Sequence, residues 1–205
     1  MDITTALFGN VTRVKLMRLF LFNPTVSFLA GEITIRARSA RSLVRKELSL
    51  LLKANLIKKR LVTKEIAFEG RKPKKMKGSG YQLNEHFPYI EALKNFLTIT
   101  SLQPDESLLK RFNTVGKIKL FIASGVFTQH WDSRIDLLIV GDDLNLDKIE
   151  AIIKVIESEL GKEIAYSAFD LPDFEYRLGI HDRLVRDILD YPHITLLDRL
   201  GVEPQ

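Results

Sequence analysis

The sequence predicts a two-domain chain of mixed α and β structure, an α+β module followed by a small α/β module with a mixed sheet. Residues 1–100 carry 19 Lys and Arg against 7 Asp and Glu, whereas residues 101–205 carry 12 against 19. The first half has the pattern of three helices and a strand hairpin, and the second alternates strands with helices. A charge that changes sign between halves indicates modules with different partners. We therefore predict domains at 1–85 and 108–205, joined by a connecting helix and linker at 86–107.

Composition narrows the class of protein. The chain of 205 residues is 45% hydrophobic and has no cysteine, which excludes disulfides and thiolate zinc sites. Its four histidines are scattered, with no helical i,i+4 pair, which argues against a histidine metal site. We predict no metal and no cofactor. No apolar run reaches the roughly 18 residues that a membrane span needs. The start, "MDITTALFGN", lacks the basic region of a secretory signal, and we expect a cytoplasmic protein without a membrane partner.

Residues 1–100, the basic half of the chain, begin with predicted helices. "VTRVKLMRLFLF" predicts a helix from Val11 to Phe22 that ends before Asn23-Pro24, and "VSFLAGEITIRAR" predicts a second, short helix. Ser39 is the expected N-cap of a third helix, "ARSLVRKELSLLLKAN". On a helical wheel its two sides differ. The core-facing side holds Val44, Glu47, Leu48 and Leu51, and the other side presents Arg38, Arg41, Ser42, Arg45 and Ser49.

Two strand-like runs follow, "LIKKRLVTKEIAFE" and "GYQLNEHF". The segment "GRKPKKMKGSG" lies between them and predicts a basic hairpin tip flanked by glycines. Next, "EHFPYIEALKNFLTI" predicts a helix from Glu85 to Ile99 with an apolar stripe. That stripe has two open interpretations, packing against the second domain or pairing with its copy in a homodimer.

The order helix, helix, helix and basic hairpin resembles a winged helix-turn-helix domain over roughly residues 4–85. "VRKELSLLLKANLIKKR" is similar to the recognition helix and first wing strand of winged-helix regulators. The resemblance implies double-stranded DNA as the partner, read by arginines in the major groove and held by lysines on phosphates. RNA binding, protein contacts only, or a merely solvated lysine loop stay open as alternatives. The candidate DNA-binding residues are Arg38, Arg41, Ser42, Arg45, Lys46, Ser49, Arg71, Lys72, Lys74, Lys75 and Lys77.

The acidic half alternates strands and helices. "GKIKLFIASGVF" predicts a strand that runs into a turn at Ser124-Gly125, and "RIDLLIVGDD" predicts the next strand. "NLDKIEAIIKVIESELGK" is an amphipathic helix that ends at Gly161, with Leu146, Ile149, Ile152 or Ile153, Ile156 and Leu160 on its apolar side. "EIAYSAF" predicts a strand, "LPDFEYRLGIHDRLVRDILDYP" one helix, and "HITLLDRL" a last strand.

This pattern resembles the minimal nucleotidyltransferase domain from about residue 115 to 200. That family has a Gly-Ser turn, then Asp-x-Asp on the second strand and a third acidic residue on a later strand, which together hold two Mg²⁺ ions. In this chain the turn is Ser124-Gly125. Arg134 stands at the position of the first aspartate, Asp136 at that of the second, and Ala165 at that of the third acidic residue. With two of three carboxylates absent, the resemblance implies a pseudoenzyme without catalytic residues.

Nearby carboxylates do not restore the metal site. Asp132 lies about 13 Å from Asp136 on an extended strand, and Glu163 is displaced by about 7 Å from the third acidic position. The candidate ligand site is therefore Ser124, Gly125, Arg134 and Asp136. Arg134 either neutralises Asp136, with or without a ligand, or binds an anion in place of the metal.

We expect a DNA-binding transcriptional regulator whose second domain senses a ligand, dimerises or binds a protein partner. The ligand would be a nucleotide or another phosphate compound, with His130 and Trp131 either stacking on its base or anchoring their loop. One alternative is an antitoxin-like interaction module, whose acidic face suits a basic partner. Another is an active nucleotidyltransferase.

Overall fold

The computed structural model describes the backbone of residues 3–68, 71–99, 104–130 and 132–202, and the side chains of 3–63, 78–98, 104–130 and 132–202. Over these residues the chain is mixed α+β with two sheets. It divides into two compact units. The first contains Met1–Ser101 and Glu157–Lys162, and the second contains Leu102–Ile156 and Glu163–Gln205. No helix in the described ranges has the length and apolar character to cross a membrane.

The helices of the first unit include α1 (Ile3–Phe8), α2 (Val11–Leu21), α3 (Ala30–Ala37) and α4 (Arg41–Lys53). The ends of α2 and the short helix α3 confirm the sequence prediction. The prediction that Ser39 caps α4 is wrong, because the cap position is Ala40, which has no side chain to accept a hydrogen bond. The Ser39 hydroxyl instead donates to the Ala37 carbonyl oxygen and accepts from the Thr12 hydroxyl, each at 3.1 Å.

Helix α4 packs into the core of the first unit through the face that the helical wheel predicted. Val44, Glu47, Leu48 and Leu51 are all buried. The side chain of Glu47 is 1% exposed, and its carboxylate accepts a hydrogen bond from Arg13 Nε of α2 at 2.7 Å. A paired carboxylate can lie in a core that would not tolerate an unpaired one.

The first unit also contains a three-stranded antiparallel sheet. It consists of β1 (Phe28–Leu29), β2 (Ile57–Phe68) and β3 (Arg71–Leu83), in the order β1-β3-β2. The predicted basic tip is wrong, because its residues from 71 onward are strand, with Lys75 opposite Glu65 in the register. The hairpin ladder satisfies backbone groups that a lysine-rich loop would leave to water, and Pro73 falls at the register shift, where a strand tolerates proline.

Helix α5 (Ile90–Ile99) begins later than predicted. Leu97 lies in the core of the first unit, and Phe87, Ile90, Leu93 and Phe96 pack against that core. The Phe96 ring meets Phe8 edge to face, with centroids 6.2 Å apart. The stripe that suggested a bridge or a dimer contact is therefore used inside the first unit.

The second unit is built on a four-stranded mixed sheet of order β6-β5-β4-β7, in which only β5 and β6 run parallel. Its elements in chain order are α6 (Glu106–Arg111), β4 (Lys117–Ala123), β5 (Leu137–Asp142), α7 (Leu146–Leu160), β6 (Tyr166–Phe169), α8 (Leu171–Gly179), α9 (Arg183–Asp190) and β7 (Ile194–Asp198). The residues of α7 from Glu157 onward belong to the first unit. The single helix predicted after β6 is wrong. His181 takes a left-handed conformation (φ 56°), and the Asp182 carboxylate starts α9 by accepting the Leu184 and Val185 N–H groups.

Both faces of this sheet are covered. On one face Ile122 and Leu138 share a buried cluster with Phe174 of α8 and Val185 of α9. On the other face the Phe121 ring lies 5.1 Å from that of Phe112. The predicted apolar side of α7 is confirmed in Ile149, Ile153, Ile156 and Leu160, which are buried, whereas Leu146 is exposed.

Candidate functional site

The outer face of α4 carries the first set of predicted DNA-binding residues. Arg41, Ser42, Arg45, Lys46 and Ser49 are all exposed, opposite the buried stripe. Within the part of the chain that the structure describes, the side chains of Arg41, Arg45 and Lys46 have no ion pair or hydrogen bond. The helix of 13 residues is about 20 Å long. The helix therefore presents a row of exposed, positively charged side chains that are free to donate hydrogen bonds.

Arg38 lies before this helix, in the turn between α3 and α4. It is exposed and left-handed (φ 48°, ψ 48°), which directs the chain into α4. Lys15 of α2 reaches the same turn and donates to the Ala37 carbonyl oxygen at 3.2 Å. Burial lowers the pKa of Lys15, Glu159 opposes that shift, and the positive charge of Arg38 adds to it. The turn thus places the exposed Arg38 next to the start of α4, with the half-buried Lys15 behind it.

The β2–β3 hairpin carries the second predicted set. The register places Arg71, Lys72, Lys74, Lys75 and Lys77 along β3, and their side chains lie outside the described residues. The ladder from Ile57 to Phe68 is roughly 36 Å long at about 3.3 Å per residue.

Sequence reasoning missed further cations near this set. Lys53 at the end of α4 and Lys59 and Arg60 on β2 are exposed. The run "KKR" in "LIKKRL" was the signal that could have found the two on β2. Its first member, Lys58, is instead held by the Glu85 carboxylate at 2.7 Å.

In the second unit, the Asp136 carboxylate is bound by the backbone. Asp136 is 8% exposed and lies just before β5. Its Oδ1 accepts the Val126 N–H at 2.7 Å and its Oδ2 accepts the Ala165 N–H at 2.8 Å. Its own N–H donates to the Ala165 carbonyl oxygen at 2.6 Å. Asp136 thus joins the turn after β4 to the chain entering β6, where Ala165 lies beside it.

Ser124 and Gly125 form the inner part of that turn. Both are buried. The Ser124 hydroxyl donates to the Ile135 carbonyl oxygen. Gly125 has a φ of +54°, and a Cβ there would collide with Asp136 Oδ1. The predicted turn is confirmed, and it requires glycine because a side chain would displace the Asp136 carboxylate.

Arg134 is placed differently. It is exposed, and its Nε forms an ion pair with Oδ2 of Asp187 on α9 at 2.9 Å, whereas a pair with Asp136 was one of the two alternatives from the sequence. It lines a pocket of about 360 Å³ together with His130, Arg183 and Tyr191. Ser124, Gly125 and Asp136 do not line this pocket, and Trp131 lies outside the described residues. Arg183 and Asp187 carried no local signal, because only tertiary packing brings α9 to this loop.

Among the described residues, no group of three or more His, Asp and Glu side chains is arranged to hold a metal ion. No protein-family model matches the chain, and comparisons with curated proteins and with solved structures also give no match. Its function is therefore proposed from its own residues.

Proposed function

We propose that the chain is a DNA-binding transcriptional regulator whose first unit is a winged-helix domain with α4 as its recognition helix. The observation that carries this proposal is the two-sided character of α4. Val44 and Leu48 anchor one side in the core, and Arg41 and Arg45 stand exposed and unengaged on the other, within the described residues.

A helix of this kind suits the major groove. Its diameter of about 10–12 Å matches a groove about 12 Å wide. Arginine donates two parallel hydrogen bonds to guanine O6 and N7, and serine hydroxyls bond bases or phosphates. Ser42 and Ser49 lie on the same exposed side of α4 as the arginines.

The hairpin supplies the second contact. The order α2, α3, α4 and then the β2–β3 hairpin is that of the winged helix that the sequence resembles. The hairpin is long and its β3 strand is rich in lysine, so it favours phosphate contacts, which release counterions and make affinity depend on salt. A helix face rich in arginine is often only a solvated surface. Such a face together with a basic hairpin in the same unit supports DNA binding.

We further propose that the second unit is a pseudoenzyme that serves sensing, dimerisation or partner binding. Position 134 holds a permanent positive charge, which repels Mg²⁺. Both Asp136 carboxylate oxygens accept backbone N–H groups, and Ala165 offers no side-chain ligand. These contacts support a structural role for the one aspartate that the family motif retains.

The test is fluorescence anisotropy of a labelled random-sequence duplex across a salt series. The variants are Arg41→Ala/Arg45→Ala on α4 and a fourfold alanine substitution of Lys72, Lys74, Lys75 and Lys77 on the hairpin. The control is Arg186→Ala, which removes an exposed arginine from the second unit. We expect the hairpin variant to reduce the salt slope by about 0.9 for each phosphate that the protein no longer neutralises. We expect the α4 variant to weaken binding and the control to leave it unchanged.

Two outcomes would contradict the proposal. If the wild type does not bind the duplex at low salt, the proposal that the chain binds DNA is wrong. Co-purification of a small basic protein would then favour the antitoxin-like alternative. Binding by the α4 variant equal to that of the wild type removes α4 from the interface.

A further inference from the structure

The pocket of the second unit lies between the loop at 132–135 and helix α9. Its volume of about 360 Å³ is at the low end of the roughly 300–1,000 Å³ that small-molecule sites occupy. Ile135 and Ile188 line it and are buried, which gives it an apolar floor, and the exposed Tyr191 lines it as well. A site of this size accepts a small molecule and is too small for a folded partner.

Two guanidinium groups line the same pocket. Asp187 forms an ion pair with Arg134, with Oδ2 2.9 Å from Nε, which orients the guanidinium group, and Arg134 has no other partner residue among the described residues. Arg183 lies four residues before Asp187 on α9, so both are on one side of the helix. Its guanidinium has no partner in the described ranges. An arginine that is already oriented loses less freedom when it binds a planar oxyanion.

The remaining polar groups limit the charge of the ligand. Asp132 and Asp187 balance the two arginines in the lining, so the pocket does not favour a highly charged polyanion. The His130 Nδ1 lies 2.9 Å from the Thr128 carbonyl oxygen, which only accepts hydrogen bonds. Nδ1 therefore carries a hydrogen and is used inside the loop.

We propose that this pocket binds a small organic anion, a carboxylate or phosphate monoester carried on an apolar or aromatic body. Arg134 and Arg183 hold the oxyanion through paired N–H groups. Ile135, Ile188 and Tyr191 contact the body. The site does not depend on DNA binding by the first unit, so either proposal can fail without the other.

The test is an amide NMR titration of the full chain with three probes that share a ring. Benzoate and phenyl phosphate carry the two oxyanions, and benzyl alcohol carries none. We expect at least one anion to shift the amides of Ser133 and Arg183 in a saturable way, and benzyl alcohol to bind at least about tenfold more weakly, as expected for charge-assisted hydrogen bonds. Which anion binds identifies the oxyanion.

The variants separate a binding role from a folding role. Arg183→Ala should weaken anion binding about tenfold or more, and Arg134→Lys, which keeps the charge but loses the planar fork, should weaken it too. Arg186→Ala is the matched control, because Arg186 is exposed on α9, pairs with Asp190 and does not line the pocket. The proposal is overturned if neither anion binds, if benzyl alcohol binds as tightly as the anions, or if Arg183→Ala binds as the wild type does.

Discussion

The backbone contacts of Asp136 make a quantitative prediction about the second unit. Its two carboxylate oxygens accept N–H groups at 2.7 and 2.8 Å in a buried setting. Hydrogen bonds to an ionised acceptor contribute about 1.5–3 kcal/mol each. In Asp136→Asn the amide nitrogen would face one of these N–H donors, so one bond is removed and a donor stays unsatisfied. We expect the free energy of unfolding to fall by about 2–4 kcal/mol.

Asp136→Ala removes both acceptors and should cost about 3–6 kcal/mol, the sum of two such bonds. A small domain is stable by only about 5–15 kcal/mol, so this variant should be close to unfolding. A residue kept only as a metal ligand would behave differently, because its replacement would leave stability nearly unchanged.

Hydrogen exchange of the Val126 and Ala165 amides measures the effect at the donors themselves, and urea denaturation measures it for the whole unit. Asp132→Asn is the control, since Asp132 is an exposed aspartate that lines the pocket. If Asp136→Asn unfolds at the same urea concentration as the wild type and both amides stay protected, the backbone-binding role of Asp136 is refuted.

Three further substitutions test individual polar contacts. Arg13→Met should lower the free energy of unfolding, measured by urea denaturation, by about 3 kcal/mol, because the buried Glu47 loses its partner. Adding Glu47→Leu should restore most of that free energy, and a double variant no more stable than Arg13→Met would contradict the prediction. A hydrogen bond from Lys58 holds the pKa of Glu85 below its ordinary 4.5. The stability that Glu85→Gln removes should therefore be constant above pH 4.5 and vanish as pH falls through the lowered folded pKa; a difference that persists in strong acid would be evidence against it. Asp182→Ala should cost about 1 kcal/mol by removing the cap of α9, and an unchanged melting temperature would show that the cap is not needed.

Several features of the fold could be predicted because they depend on short segments. The buried and exposed sides of α4 follow from helical periodicity alone, which places Val44, Leu48 and Leu51 together and Arg41 and Arg45 apart from them. The end of α2 before Asn23-Pro24 follows from the conformational limits of proline. The turn at Ser124-Gly125 also follows from a local pattern.

Other local signals were overruled by the backbone geometry of the folded chain. Glycines and Pro73 predicted a loop, but the β2–β3 ladder extends through the basic segment because each added pair satisfies backbone groups. Ser39 had the chemistry of an N-cap, but the left-handed Arg38 places it one residue outside that position.

The sequence by itself determined the charge division between the halves, the helical faces and the absence of carboxylates at positions 134 and 165, because these depend only on residue identity and short-range periodicity. Tertiary structure decided the roles of individual side chains. In the folded chain the Asp136 carboxylate accepts hydrogen bonds from the backbone N–H groups of Val126 and Ala165, and Asp187 forms an ion pair with Arg134. These partners lie on different elements, and the pairing of β4, β5 and β6 in the sheet together with the packing of α9 brings them within hydrogen-bonding distance.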